Sequence, residues 1–245
     1  MPPPESPLSG AGLSDRIVVI TGAFGALGAA VAETVRAAGA QVAAVGREAP
    51  AKAPAFVSGV TVFGGIDLGS SDNVGSGFRL IAERLGGIDA LVNIAGGFRW
   101  EKIDSGRVET WDALYNVNLR TAFNATKAAL PYILKRAAEH GAGRIVSVGA
   151  AAASHAAMGM GAYAASKAGV AKLTEALAAE LKDRRVTVNA IAPSIIDTAA
   201  NRAEMPNADF SRWVTPLEIA QVIVFLLSPR ASGVTGTLIP VTGRV

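Results

Sequence analysis

The sequence predicts a single α/β domain, a doubly wound parallel sheet of about seven strands with helices on both faces. Three observations predict it. Short apolar runs alternate with helical patterns along nearly the whole chain, which is the signature of a parallel sheet covered on both sides. Half of the 245 residues are apolar and only 18% are charged, so a sizeable core is available and long disordered stretches are not expected. No repeat or linker divides the chain. The domain is therefore read as 13–245, after a Pro-, Ser- and Gly-rich segment, 1–12, expected to be a disordered tail.

The elements follow in order. Ile17 to Thr21 is a first strand, followed by a glycine turn and a helix to about Ala38. Gln41 to Val45 is a second strand, and Val60 to Phe63 a third, leading to Asp67. Ala90 to Asn93 is a fourth, with Ile88 and Asp89 leading in. One long helix is expected from about Thr110 to Ala138, then a fifth strand over Arg144 to Val148. A second long helix runs from about Gly161 to Leu181, and a sixth strand spans Val186 to Ile191. After an irregular stretch comes Thr215-Pro-Leu-Glu218. Here Thr215 caps a helix, Pro216 suits its first position and Glu218 closes a capping box. The apolar run Ile219 to Leu227 suits a buried helix, and Thr237 to Val241 is the last strand. Abundant alanine favours closely packed helices.

Composition excludes several function classes. The net charge is +3, and the densest basic group, Lys182, Arg184 and Arg185, is broken by Asp183. It reads as a solvated helix end, so no nucleic-acid partner is expected. There are no cysteines, hence no disulfide, thiolate nucleophile or cysteine-based metal site. Two histidines, His140 and His155, make no zinc cluster. No apolar run approaches the roughly 20 residues that span a bilayer. The start lacks the basic-then-apolar pattern of a signal peptide. A soluble cytoplasmic protein acting on a small molecule is the expectation.

The chemistry begins at Thr21-Gly-Ala-Phe-Gly-Ala-Leu-Gly28, between the first strand and its helix. Gly22 allows the tight turn, Gly25 lets backbone approach a pyrophosphate, and Gly28 lets helix and strand pack closely. The following helix offers free N–H groups and its positive dipole end to phosphates. The end of the second strand discriminates the two nicotinamide cofactors: an acid there holds the ribose hydroxyl of NAD, an arginine the phosphate of NADP. The strand runs Val45-Gly46-Arg47, with no carboxylate at the expected position. NADP(H) is favoured over NAD(H), with Glu48 next door as an opposing feature. A second constellation is Tyr163-Ala-Ala-Ser-Lys167, which places a phenol and an ammonium on one helix face. A cation beside a phenol lowers its pKa from about 10, giving a proton donor or acceptor usable near neutral pH.

With these residues in view, the chain resembles the short-chain dehydrogenase/reductase family from about Leu13 onward. The matching pieces are the Thr21–Gly28 loop, Asp67-Leu68, Val92-Asn93-Ile94-Ala95-Gly96, Asn116-Val-Asn118-Leu, Tyr163-x-x-x-Lys167 and Pro193-Ser-Ile-Ile-Asp-Thr198. The resemblance implies a Rossmann-type fold, a nicotinamide cofactor and roles by position. The loop, with Phe24, Ala26 and Leu27 beside its glycines, holds the cofactor. Asp67 and Leu68 hold the adenine, and Asn93, Ala95 and Gly96 line the adenosine side. Tyr163 exchanges the proton and Lys167 binds the nicotinamide ribose. Pro193, Ile196 and Thr198 anchor the carboxamide and a phosphate. Asn118 kinks its helix and holds a water of the proton relay, or is simply a satisfied helix asparagine. Pairing through the two long helices implies a homodimer or homotetramer.

One departure is informative. Thirteen residues before Tyr163, where the family carries a serine, stands Ala150. Losing such a polarising donor costs roughly 10²–10³ in rate. Ser147 and Ser154 are near in sequence but off that position. The chain is similar in this to the dihydropteridine reductase branch. It shares with that branch the Gly25-Ala-Leu-Gly28 spacing, the Ala95-Gly-Gly-Phe98 turn and the segment Met205-Pro-Asn-Ala-Asp-Phe-Ser-Arg-Trp213. The resemblance implies a quinonoid dihydropterin, or a similar conjugated C=N or C=O compound, as substrate. Such an acceptor needs less polarisation than a ketone. Phe98, Trp100, Met205, Phe210 and Trp213 then either face a flat substrate or pack the lid over it. Arg47 and Asn118 depart from that branch. A general carbonyl or alcohol reductase of the family is the alternative, and a non-catalytic NADP-binding redox sensor is the alternative of another class.

Overall fold

The computed structural model describes residues 12–56 and 58–245. The expected tail, 1–12, lies outside the described residues except for Gly12. Seven parallel strands form one sheet: β1 (Ile17–Thr21), β2 (Gln41–Val45), β3 (Val60–Phe63), β4 (Ala90–Asn93), β5 (Gly143–Val148), β6 (Val186–Pro193) and β7 (Leu238–Val241). Their order is β3-β2-β1-β4-β5-β6-β7. The order reverses between β1 and β4, and in such sheets the ligand crevice opens at the carboxyl ends of the strands flanking that switch.

The central strands β1, β4, β5 and β6 are buried on both faces, which is why they read as largely apolar runs, while the edge strands β3 and β7 are partly exposed. Along β1, Val18 and Ile20 join the core under α1 (Ala26–Ala37) and α7 (Pro216–Leu227), where Val31, Val35, Ile219 and Ile223 meet them. Val19 between them faces the opposite core with Phe78 and Ile81 of α2 (Ser71–Leu85). That second core also receives Ala125, Ala129 and Ile133 of α4 (Thr121–His140) and Ala178 and Leu181 of α5 (Gly161–Leu181). The alternation follows from the two-residue period of a strand. Small alanines at the contact let α4 lie close to the sheet.

The sequence pattern places every strand, and the structure lengthens the sixth to Pro193. The capping box at Thr215 forms: its hydroxyl accepts from the Glu218 N–H, and the Glu218 carboxylate accepts from the Thr215 N–H. Two helices were not anticipated. α2 is capped by Ser70, which accepts from the Asn73 N–H, and is ended by Gly86 at φ 89°. α6 (Ala199–Glu204) occupies part of the stretch expected to be irregular.

The single long helix expected over Thr110 to Ala138 is a correction. The run is α3 (Val108–Leu114), a π-helical turn over Tyr115–Arg120, then α4. The Thr121 N–H reaches back to the Asn116 carbonyl, one residue further than an α-helix allows. The inserted residue bulges the helix where Asn118 turns inward.

Candidate active site

A cleft of about 820 Å³ opens at the carboxyl ends of the central strands, where the topology predicts it. One wall is the turn after β1. Gly22 sits at φ +67°, and a Cβ there would lie 2.7 Å from the Ala95 backbone nitrogen. A Cβ on Gly28 would lie 2.2 Å from the Gly22 carbonyl, so the fold itself demands both glycines. Gly25 is different: a Cβ there meets nothing nearer than 3.6 Å, so protein packing does not require its glycine. It is the N-cap of α1, has no side-chain cap and faces the cleft. The first N–H groups of α1 have no intrahelical acceptor and are left for an anion. The glycine turn therefore fits a dinucleotide pyrophosphate. Thr21 fixes this wall to the next strand: its hydroxyl accepts from the Ile94 and Ala95 N–H groups at 3.2 and 3.4 Å.

Further out, Arg47 stands exposed at the cleft edge just past β2, beside Asp67 and the buried Leu68. The Asp67 carboxylate accepts from the Gly69 N–H at 2.9 Å, which shapes the turn after β3. Phe24 lies behind this wall. Its ring fills the space in front of Gly46, where a Cβ would come within 2.4 Å of it.

The opposite wall carries Tyr163 and Lys167. α5 presents Tyr163 and Lys167 to the cleft one turn apart. The Lys167 ammonium donates to the Val148 carbonyl at 2.8 Å, at the end of β5, and lies 6.0 Å from the Tyr163 ring centroid. Phe98 meets the tyrosine ring edge-on, centroid to centroid 5.0 Å. The electrostatic expectation for this pair is a correction. Burial pushes the Tyr163 phenol up to about 12 and the Lys167 ammonium down to about 8. Desolvation disfavours both charged forms, and the ammonium is turned toward a carbonyl rather than the phenol.

Asn118 is 1% exposed and holds this wall together. Its carbonyl oxygen accepts from the Gly97 N–H at 2.9 Å, and its amide donates to the Gly97 carbonyl at 3.0 Å and to the Ser166 hydroxyl at 2.9 Å. The Ser166 hydroxyl in turn donates to the Tyr163 carbonyl at 2.7 Å. Both amide protons are committed, so the side chain acts as a clamp. Gly96 makes room for it, since a Cβ there would meet the Asn118 oxygen at 2.7 Å. Sequence reasoning missed Ser166 and Gly97. The serine was detectable, because three residues along a helix from Tyr163 is one turn.

The remaining residues divide. Ala95, Pro193, Ile196 and Thr198 line the cleft. The Thr198 hydroxyl also caps α6 by accepting from the Asn201 N–H. Asn93 turns away from the cleft: its amide donates to the Thr126 and Ser147 hydroxyls at 3.1 and 3.4 Å inside the sheet. Ser147 is thereby committed to the core, and Ser154 is exposed past the short turn Ala151–Ala153. Neither stands in for a hydroxyl at the buried Ala150. Met205 ends α6. Trp213 is 6% exposed and packs on Phe210 at 4.8 Å, while Phe210 lies over the Arg202 guanidinium at 4.8 Å. Trp100 is exposed and donates its indole N–H to the Met158 carbonyl at 2.9 Å.

Among the described residues no group of three or more His, Asp or Glu side chains is arranged to hold a metal, and no helix is long and apolar enough to cross a membrane.

Comparison with known proteins agrees with this geometry. The family profile described as short chain dehydrogenase matches residues 16–209. The chain is 33% identical over 252 residues to a 3-oxoacyl-[acyl-carrier-protein] reductase of Thermotoga maritima, covering 94% of this chain and 98% of the relative. It is 34% identical over 239 residues to an acetoacetyl-CoA reductase of Rhizobium meliloti, covering 93% and 97%. Among solved structures, a Brucella melitensis 3-ketoacyl-(acyl-carrier-protein) reductase complexed with NADH superposes with TM-score 0.84 at 25% identity, covering 95% of this chain and 99% of that one.

Proposed function

The chain belongs to the short chain dehydrogenase family and is an NAD(P)-dependent oxidoreductase, and we propose that it works as a carbonyl reductase on a small 3-oxoacyl thioester or related ketone, with NADPH as the preferred cofactor. The observation that carries the reading is the single cleft in which the glycine turn faces Tyr163 and Lys167. The full-length likeness to 3-oxoacyl and acetoacetyl thioester reductases supports the substrate class. Arg47 at the adenosine end supports the phosphate-bearing cofactor.

When bound along the glycine turn, a nicotinamide cofactor would supply the hydride for reduction of the carbonyl carbon. The Tyr163 hydroxyl gives its proton to the carbonyl oxygen as negative charge builds there. A phenol pushed up to about 12 stays protonated across the physiological range and so carries a proton to give. Lys167, held in register by the Val148 carbonyl, would bind the nicotinamide ribose. Asn118 and Ser166 fix the backbone around the tyrosine, and Phe98 fixes its ring.

One observation favours a second reading. Ala150 leaves Tyr163 without a partnering hydroxyl at the acceptor, and Ser147 and Ser154 do not replace it. A quinonoid dihydropterin tolerates that loss better than a ketone. Self-association is also part of the proposal, supported by Tyr115 and Phe123 standing exposed on the π turn and α4. The test is cofactor oxidation with NADPH and NADH in parallel, offering acetoacetyl-CoA, a simple ketone and quinonoid dihydropterin. Turnover of acetoacetyl-CoA supports the first reading. Turnover of the dihydropterin alone replaces it with the second. Cofactor binding without turnover of any acceptor removes both.

A further inference from the structure

The opposite edge of the sheet, where the strands begin, holds a charge cluster unrelated to the cleft. Asp89, 2% exposed, precedes β4 and is saturated. One carboxylate oxygen accepts from Arg136 Nε at 3.1 Å and from Arg16 at 3.4 Å, the other from Arg136 and from the Ile17 N–H at 2.9 Å each. A third guanidinium stands beside them. Arg144, at the start of β5, is 7% exposed, and its one acceptor among the described residues is the Gly143 carbonyl at 2.9 Å. Its Nε is buried with no hydrogen-bond partner. Arg16, Asp89 and Arg144 line a cavity of about 10 Å³, closed by Leu13, Leu227 and Pro229.

The charges do not balance. Among the described residues three guanidinium groups stand around one carboxylate, which already serves two of them, while Arg16 also donates to the Ala142 carbonyl at 3.1 Å. A buried cation without a counter-charge is costly, and an orphaned buried donor adds to the cost. Burial first, and then the neighbouring Arg16 charge, hold the Arg144 guanidinium below its usual range. A cavity of this size admits one water-sized guest and nothing as large as a phosphate.

We propose that the cavity between Arg16 and Arg144 is a binding site for a small monovalent anion of chloride size. The anion accepts from Arg144 Nε and from Arg16, relieves their mutual repulsion, and ties the start of β5 to the start of β1 and the end of α7. Because the cavity is at the far edge of the sheet, its occupancy contributes to stability.

Two measurements on the full chain test this. Crystals soaked in bromide should show an anomalous peak beside Arg144 Nε; a site that refines as water without anomalous signal overturns the proposal. In thermal melts at constant ionic strength, replacing gluconate by chloride should raise Tm with the logarithm of chloride concentration above Kd, by about 3–6 °C at tenfold over Kd. The rise should vanish in Arg144→Met. An equal Tm in the two salts for the wild-type protein counts against the site. Should Arg144→Met fail to fold, the bromide and wild-type melt results still decide.

Discussion

The two walls of the cleft are built by different means. The cofactor wall, from β1 to the turn after β3, is mostly backbone: Gly22 and Gly28 are required by contacts of 2.7 and 2.2 Å that a Cβ would make, and Gly25 opens toward the ligand. The wall that carries Tyr163 is made of side chains brought from far apart, with Asn118 clamping Gly97 and reaching Ser166, and Lys167 reaching Val148. A backbone wall binds by shape and dipole and is indifferent to most side-chain changes. A side-chain wall depends on burial, which sets both proton affinities and the committed hydrogen bonds.

The contrast can be broken from either side. Tyr163→Phe should have the largest effect, a loss of about 10²–10⁴ in kcat/KM for reduction, with cofactor affinity unchanged by titration of protein fluorescence. Full activity would remove the tyrosine from proton transfer. Arg47→Asp acts on the other wall. It should shift the NADPH-to-NADH preference by about 10–100-fold in kcat/KM toward NADH, the value of a charge-assisted contact, while the relative rates among acceptors stay fixed. No shift would mean that Arg47 is a solvated residue.

Ala150→Ser restores a hydroxyl where the structure has none. Reduction of a simple ketone should rise about tenfold, less than the roughly 10²–10³ such a donor is worth in an evolved site. If ketone and dihydropterin rates rise together, or neither moves, the missing hydroxyl does not select the substrate.

The smallest effect is in pH. Tyr163 keeps its proton up to about 12, so the donor is not lost in the working range. Lys167, pushed down to about 8, loses its charge as pH rises through that value. Reductive kcat/KM should be level below about pH 8 and fall several-fold above it. A fall centred near pH 10 would contradict the buried lysine. The sign of the stability change is opposite. Between the folded value of about 8 and the ordinary 10.5, the unfolded chain binds more protons at this lysine, so its contribution to stability rises with pH across that window. Urea melts through the same range check it.

Much of this was legible before folding. The seven strands, the glycine turn, and the Thr215 to Glu218 capping box are local patterns, in which period, cap and turn chemistry lie within a few residues. α2 was legible too, in Ser70 and Gly86, and was overlooked because polar Asp72, Asn73 and paired glycines interrupt its apolar stripe. The family resemblance implied a kink at Asn118 and the π turn over Tyr115–Arg120 bears it out, but its form was not readable from the local pattern, since its inward residue is held by Gly97, 21 positions away. Counting from Tyr163 found Ala150, but only packing showed Ser147 turned into the sheet against Asn93.

What the sequence determined by itself is therefore the frame and the inventory: a doubly wound sheet, a phosphate-ready turn, and a tyrosine and lysine one helical turn apart. The tertiary structure decided their electrostatics. Proximity on one helix face predicts a lowered phenol, whereas the desolvation of Tyr163 and Lys167 raises the one and lowers the other. It decided equally that Asp89 would be shared by Arg16 and Arg136 while Arg144 Nε was left without a hydrogen-bond partner among the described residues. Spacing is a property of the chain, but dielectric environment depends on everything that folds around it.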